Sequence, residues 1–510
     1  MKKLIILILV IVLGTVLRTY GLNQRPIGFT WDEAALGYNA YSLLKTGKDE
    51  HGQVLPVVFK SFGDYKPGLY VYFALPTVKL LGLNEVATRL PSAISGVLLI
   101  IVLYLLTKNL YVAFLAAINP LLLEFSRGAW EANVFILLVT LGTVLFVKKK
   151  YLLVGVFFGL TFWTYQGAKM FTPMLILLLL YVYKKHIQIK KIWLGGITLF
   201  LFLIPIILGL STQSGRLKVF SVFSYTRSPE VVSEILKQDS GNKFISTLFN
   251  SEILDQTRGV VQRYLNYFSP RFLFFDGDWS NSRQTIIYHG NQYLFEFLTL
   301  ILGSFSGVNP FIWGWLILAP LPAALSRDIV TSVRALPMMI PLIILSGLGA
   351  KKINKYLLLF LSFLSLVRFI DLYWNHDFFF SADDWVSAYK QSVQRVVAHQ
   401  DEYKNVYFTN LWGQPYIYLL FYQRYDPAKY QTNHVYREGE GGDVGNVESF
   451  GKYKFGKVYW PTMRSDANTL FVGGQYELVA SDIDNTLGAT SLGEIGFPNG
   501  DIAFRLVGKK

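Results

Sequence analysis

The stretch Thr30-Trp31-Asp32-Glu33 puts two adjacent carboxylates at the head of a helix-like run, Ala34 to Lys45. Two readings stand side by side. Thr30 and Glu33 have the spacing of a capping box, and acids suit the positive end of a helix dipole. A carboxylate at Asp32 could equally serve as a general base, taking a proton from an attacking hydroxyl within hydrogen-bond reach. Glu131, before the apolar run 133–147, caps a helix on local grounds. Arg271 precedes the aromatic run Phe272 to Phe275, where it either contacts a phosphate or sits at a membrane interface. Asp276-Gly277-Asp278 has the spacing that holds a divalent metal in soluble nucleotide-sugar enzymes, but its setting favours a turn. The six histidines are scattered without His-x-x-x-His spacing, and there is no cysteine to supply a thiolate or disulfide. No P-loop is present, and Gly439-Glu440-Gly441-Gly442 lacks the context of a nucleotide fingerprint. The carboxylates could hold a divalent ion, though their spacing requires none. No metal site and no firm cofactor is assigned.

The elements that carry these residues follow from composition. Of 510 residues 52% are hydrophobic and 16% charged, with mean hydropathy +0.36. Soluble domains carry roughly 25% charge, so a set of water-facing modules is excluded. Apolar runs lie near 4–21, 90–107, 109–124, 133–147, 151–166, 169–183, 192–210, 292–305, 309–325, 335–350 and 356–371. They predict a mainly α, multi-pass membrane protein with about eleven transmembrane helices. The first run lacks a small-x-small cleavage site and reads as a retained helix. The net charge of +14 is no mark of nucleic-acid binding, because no basic stripe carries stacking aromatics. Thirteen lysines without an acid sit at Lys2–Lys3, Lys108, Lys148–Lys150, Lys184–Lys191 and Lys351–Lys355. With eleven crossings these fall on one side, which predicts a cytoplasmic N-terminus in the cell membrane.

The opposite, extracytoplasmic side then receives loops 22–89 and 211–291 and a tail, 372–510. The tail reads as a small α/β domain with strands at Asn405–Thr409, Lys457–Trp460, Thr469–Val472 and Ile502–Val507 and a helix near Pro415–Tyr425. The acids Asp32, Glu33, Glu124, Glu131, Glu296 and Asp371 all fall near that face, and none at the middle of a span. Ion-coupled transporters keep acids near the midplane. Chemistry on a substrate at the membrane surface fits better. A transporter or flippase of lipid-linked sugars is the rival.

Several segments, in this order, resemble a known family. They are the Asp32-Glu33 pair, Gly47-Lys48-Asp49-Glu50-His51-Gly52, Lys66-Pro67-Gly68-Leu69-Tyr70, Glu85 with Arg89-Leu90-Pro91-Ser92, Ser126 to Asn133, and Arg334-Ala335-Leu336-Pro337. The chain resembles the GT-C membrane glycosyltransferases of the protein O-mannosyltransferase and lipid A aminoarabinose transferase branch. Gly68 stands where a second proline is more usual. The resemblance covers residues 1–371. It implies a GT-C catalytic unit that moves a monosaccharide, with inversion, from a polyprenyl-phosphate donor to a hydroxyl of a protein, lipid or glycan. It further implies Asp32 as the catalytic base, Glu33 as its partner and Glu131 as a second acid. Lys66 and Arg334 match basic positions near the donor phosphate, with Arg271 a third candidate.

Overall fold

The computed structural model describes residues 1–209, 227–439 and 445–510. The first part of the 211–291 loop and most of the Gly439–Gly442 stretch lie outside them. The chain is mainly helical. Its first ten helices are α1 (Lys2–Thr19), α2 (Trp31–Thr46), α3 (Leu69–Leu81), α4 (Glu85–Thr107), α5 (Leu110–Ile118), α6 (Pro120–Arg127), α7 (Glu131–Val147), α8 (Tyr151–Phe162), α9 (Ala168–Val182) and α10 (Ile189–Leu208).

Every apolar run holds a helix, but fewer than eleven are long enough to span alone. Among the described residues four pass on length and composition: Glu85–Thr107, Ile189–Leu208, Ser332–Ala350 and Lys355–Phe380. The pair α5–α6 makes a fifth if it counts as one span bent by 56°. Asn119 explains the bend. It ends α5, its side chain accepts the Leu122 N–H at 3.0 Å, and Pro120 cannot donate into the α5 ladder. One large apolar cluster joins these helices.

A second cluster joins α2 and α3 to the C-terminal segment. There seven strands run in the order β4-β5-β6-β3-β7-β9-β8, with β3 (Asn405–Phe408) parallel to β6 (Tyr453–Phe455) and β7 (Thr469–Gly473). The others are β4 (His434–Arg437), β5 (Asn446–Phe450), β8 (Ala489–Gly496) and β9 (Ile502–Lys509). The helix expected near 415 is present as Pro415–Tyr422. The strand expected at Lys457–Trp460 is absent: Trp460 begins a short helix, because Pro461 favours a first helical turn and has no N–H for a ladder. The helix α2 is packed between α4 and the C-terminal segment. A Cβ on Gly37 would meet Thr88 Oγ1 at 2.4 Å and the Phe421 ring at 2.7 Å.

Candidate functional site

The capping box at the start of α2 is formed. Thr30 Oγ1 accepts the Glu33 N–H at 3.3 Å, and Glu33 Oε2 accepts the Thr30 N–H at 3.1 Å. Glu33 is buried and does more than cap. Arg89 Nε donates to its Oε1 at 2.9 Å and Nη2 to its Oε2 at 3.1 Å, while the Ala129 N–H donates to Oε1 at 2.9 Å. Arg89 also donates to the carbonyls of Leu22, Pro26 and Gly28. Both Glu33 oxygens are therefore committed to protein donors, which hold the α2 turn against α4 and the turn before α7.

This arrangement leaves Asp32 at the open rim, its side chain 45% exposed. Lys66 Nζ forms an ion pair with Asp32 Oδ1. Lys66 is carried by a hairpin, β1 (Val58–Ser61) with β2 (Asp64–Pro67), in which Lys66 stands opposite Phe59. Phe62 and Gly63 both have positive φ, 54° and 79°, as a tight two-residue hairpin turn demands. Gln166 Nε2 donates to the Tyr65 carbonyl at 2.7 Å, tying the hairpin to the loop between α8 and α9. Two residues singled out in the sequence thus meet. Glu131 is the first residue of α7, two positions after the Ala129 amide that binds Glu33. Nearby, Arg127 donates to the Leu17 and Tyr20 carbonyls, so it closes the end of α1.

The remaining cations have acidic partners of their own. Arg334 pairs with Asp328. Arg271 is exposed, pairs with Asp276 at 2.6 Å and lies 4.4 Å from the Trp279 ring centroid. Asp276-Gly277-Asp278 is a turn, with Gly277 at φ 59°. Asp278 is buried, accepting the Ser332 N–H at 2.8 Å and the Ser280 hydroxyl at 2.7 Å, and burial pushes its carboxyl up to about 6. Among the described residues no group of three or more His, Cys, Asp or Glu side chains could hold a metal ion.

Arg283 was not found from the sequence. Its guanidinium lies over the ring of Trp31, 5.4 Å from the centroid, next to Asp32. It makes no side-chain hydrogen bond or ion pair among the described residues. The Trp31 ring is also pressed by Gly413 in the loop after β3. There φ is +103°, and a Cβ would come within 2.8 Å of the ring. Gln284, next to Arg283, accepts the Val333 N–H at 2.8 Å and the Thr331 hydroxyl at 3.1 Å. The 278–284 loop therefore links the Asp32 turn to the turn carrying Arg334. Nothing in a Ser-Asn-Ser-Arg-Gln loop signals this, since the contact with Trp31 is tertiary.

Behind the hairpin, Glu50 is wholly buried. Asn39 Nδ2 donates to its Oε1 at 3.3 Å, and burial pushes the carboxyl up to about 8. Because the folded state keeps a proton that the unfolded chain loses above the ordinary glutamate range, Glu50 lowers stability as pH rises towards 8. Above that it is charged in both states, and its effect levels off. The Glu50→Gln variant should therefore melt progressively higher relative to wild type between pH 5 and pH 9. Parallel melting curves across that range would refute the assignment.

Residues 65–208 match the family model of dolichyl-phosphate-mannose-protein mannosyltransferases. The matched stretch includes Lys66, Arg89 and Glu131; Asp32, Arg271, Arg283 and Arg334 lie outside it. ArnT from Cupriavidus metallidurans in the apo state shares the fold, with a TM-score of 0.58 over 98% of this chain and 97% of that one, at 11% identity. The same protein bound to undecaprenyl phosphate matches over the same shares with a TM-score of 0.55, also at 11% identity. No curated protein sequence matches the chain. In one sequence segment and in overall fold, the chain resembles the GT-C membrane glycosyltransferases.

Proposed function

We propose that this GT-C-like membrane protein transfers a monosaccharide from a polyprenyl-phosphate donor to a hydroxyl acceptor, with inversion at the anomeric carbon. The observation that carries the reading is the Asp32–Lys66 pair at the rim of a turn whose other acid, Glu33, is consumed by the scaffold. Asp32 takes the proton of the acceptor hydroxyl as its oxygen attacks the anomeric carbon. The bond from that carbon to the phosphate oxygen breaks, and polyprenyl phosphate leaves. Lys66 meets the developing phosphate charge, with Arg334 and Arg283 as further cations on the same linked loops. Glu131 orients substrate beside the Ala129 turn. Glu33 acts through Asp32 as a positioning residue. Arg271, exposed and paired with Asp276, is the weakest of the phosphate-binding candidates.

In this reading residues 1–371 form the catalytic membrane unit, with the N-terminus cytoplasmic. Residues 372–510 lie on the extracytoplasmic side, where their shared core with α2 and α3 keeps them on the site. The acceptor is a hydroxyl-bearing protein, lipid or glycan.

The test is transfer of radiolabelled sugar from a panel of polyprenyl-phosphate monosaccharides by the purified protein, scored with release of the lipid phosphate. One donor should turn over. Lys66→Gln should slow that turnover by about tenfold to a hundredfold, the loss of one charge-assisted contact to a leaving phosphate. Donor binding without release of lipid phosphate across the whole panel would instead favour translocation of the lipid-linked sugar.

A further inference from the structure

The helix Lys355–Asp371 is peripheral: Leu357, Phe360, Phe363, Leu364 and Val367 are all exposed, a surface for bilayer chains. At the end of this helix away from Lys351, Lys352 and Lys355, a cavity of about 250 Å³ opens beneath Arg368. Its walls are aromatic and apolar, including Phe275, Tyr288 and Leu294, all of them exposed at the mouth. Its floor is polar. Gln292 is fully buried, and its Oε1 has no hydrogen-bond partner. His289 Nδ1 donates to the Gly290 carbonyl at 2.6 Å, which leaves Nε2 as an acceptor. Burial holds the ring neutral, down to about 4. Arg368 spends one N–H on the Tyr288 carbonyl at 3.0 Å and pairs with no carboxylate among the described residues.

A ligand for this cavity must bring negative charge to the mouth, hydroxyl donors to two acceptors on the floor, and apolar surface to the rim. We infer that the cavity binds an anionic phospholipid of the bilayer, with its phosphate on Arg368 and a hydroxyl-bearing headgroup reaching Gln292 and His289. Charge complementarity and continuity with the lipid-facing helix single out this occupant. An unpartnered acceptor in the floor of a cavity is costly unless a donor reaches it, and a glycerol headgroup supplies two. The site is separate from the Asp32–Lys66 pair and does not depend on the proposed reaction.

The test is native mass spectrometry of the whole protein in micelles containing equal amounts of phosphatidylglycerol, phosphatidic acid and phosphatidylcholine. Wild type should retain phosphatidylglycerol about tenfold over phosphatidylcholine, whose phosphate charge is offset by the choline cation and whose headgroup has no hydroxyl. It should also retain it severalfold over phosphatidic acid, which has the phosphate without the diol. Arg368→Gln, at an exposed position that leaves folding intact, should cut the first preference to the severalfold part that the hydroxyls supply. Gln292→Leu should abolish the second and lower the first, because phosphatidylcholine also lacks the diol; if that variant does not fold, the Arg368→Gln result decides alone. Equal retention of the three lipids overturns the assignment, as does an unchanged preference in Arg368→Gln. So does stoichiometric displacement of phosphatidylglycerol by polyprenyl phosphate, which would make the cavity part of the donor site.

Discussion

Replacing Asp32 by asparagine is expected to lower sugar transfer by about a hundredfold to ten-thousandfold, the span of general acid–base catalysis. At roughly 1.4 kcal/mol per tenfold, that asks between about 3 and 5 kcal/mol of a single proton acceptor. The geometry makes the test clean. Asp32 stands at an exposed rim, so its pair with Lys66 contributes little stability and the variant should fold. Asparagine keeps the shape and can still accept a hydrogen bond from Lys66, but it cannot take a proton. Donor binding should therefore change far less than turnover, and the loss should fall on kcat. Equal turnover by both proteins would keep the transferase and remove Asp32 as its base. Loss of binding with turnover of the bound fraction intact would make Asp32 a donor-site residue.

What was legible in the sequence was mostly local. The capping box needed only Thr30 and Glu33, three residues apart, and it is formed. The apolar runs located helices, because a run of large aliphatic side chains suits nothing else at that length. Their number as spans was less legible. Helices such as Tyr151–Phe162 stop short where turns intervene, and burial against neighbours leaves no length requirement to read. Asp32 and Lys66 were each singled out through the order of motifs, but their pairing was not, since a 34-residue separation carries no spacing rule. Glu33 as the hub of Arg89 and Ala129 was invisible: those partners lie 56 and 96 residues away. Arg283 on Trp31 was hidden for the same reason. Strands β4, β5, β6 and β8 escaped notice because they are short or half polar, while Tyr459-Trp460 looked like a strand until Pro461 turned it.

The Glu33–Arg89 pair carries the largest structural effect. Removing Arg89 strands a buried carboxylate with only two backbone N–H donors, and it frees the Leu22, Pro26 and Gly28 carbonyls that Arg89 gathers. Breaking a buried pair on one side costs about 3–5 kcal/mol. Arg89→Ala should therefore melt well below wild type in detergent, or fail to accumulate. Arg89→Lys should recover only part of the loss, because a single ammonium cannot reproduce the fork that meets both Glu33 oxygens while reaching three carbonyls. The double variant Glu33→Gln/Arg89→Met removes both charges and should be more stable than Arg89→Ala, since no buried charge is left alone. Its activity should nonetheless stay low. The turn that aims Asp32 would have lost the contact to Ala129 that charge made strong. A double variant with restored melting and wild-type turnover would show that Glu33 holds the fold without positioning the base. An unchanged melting point in Arg89→Ala would remove the pair from the account of both.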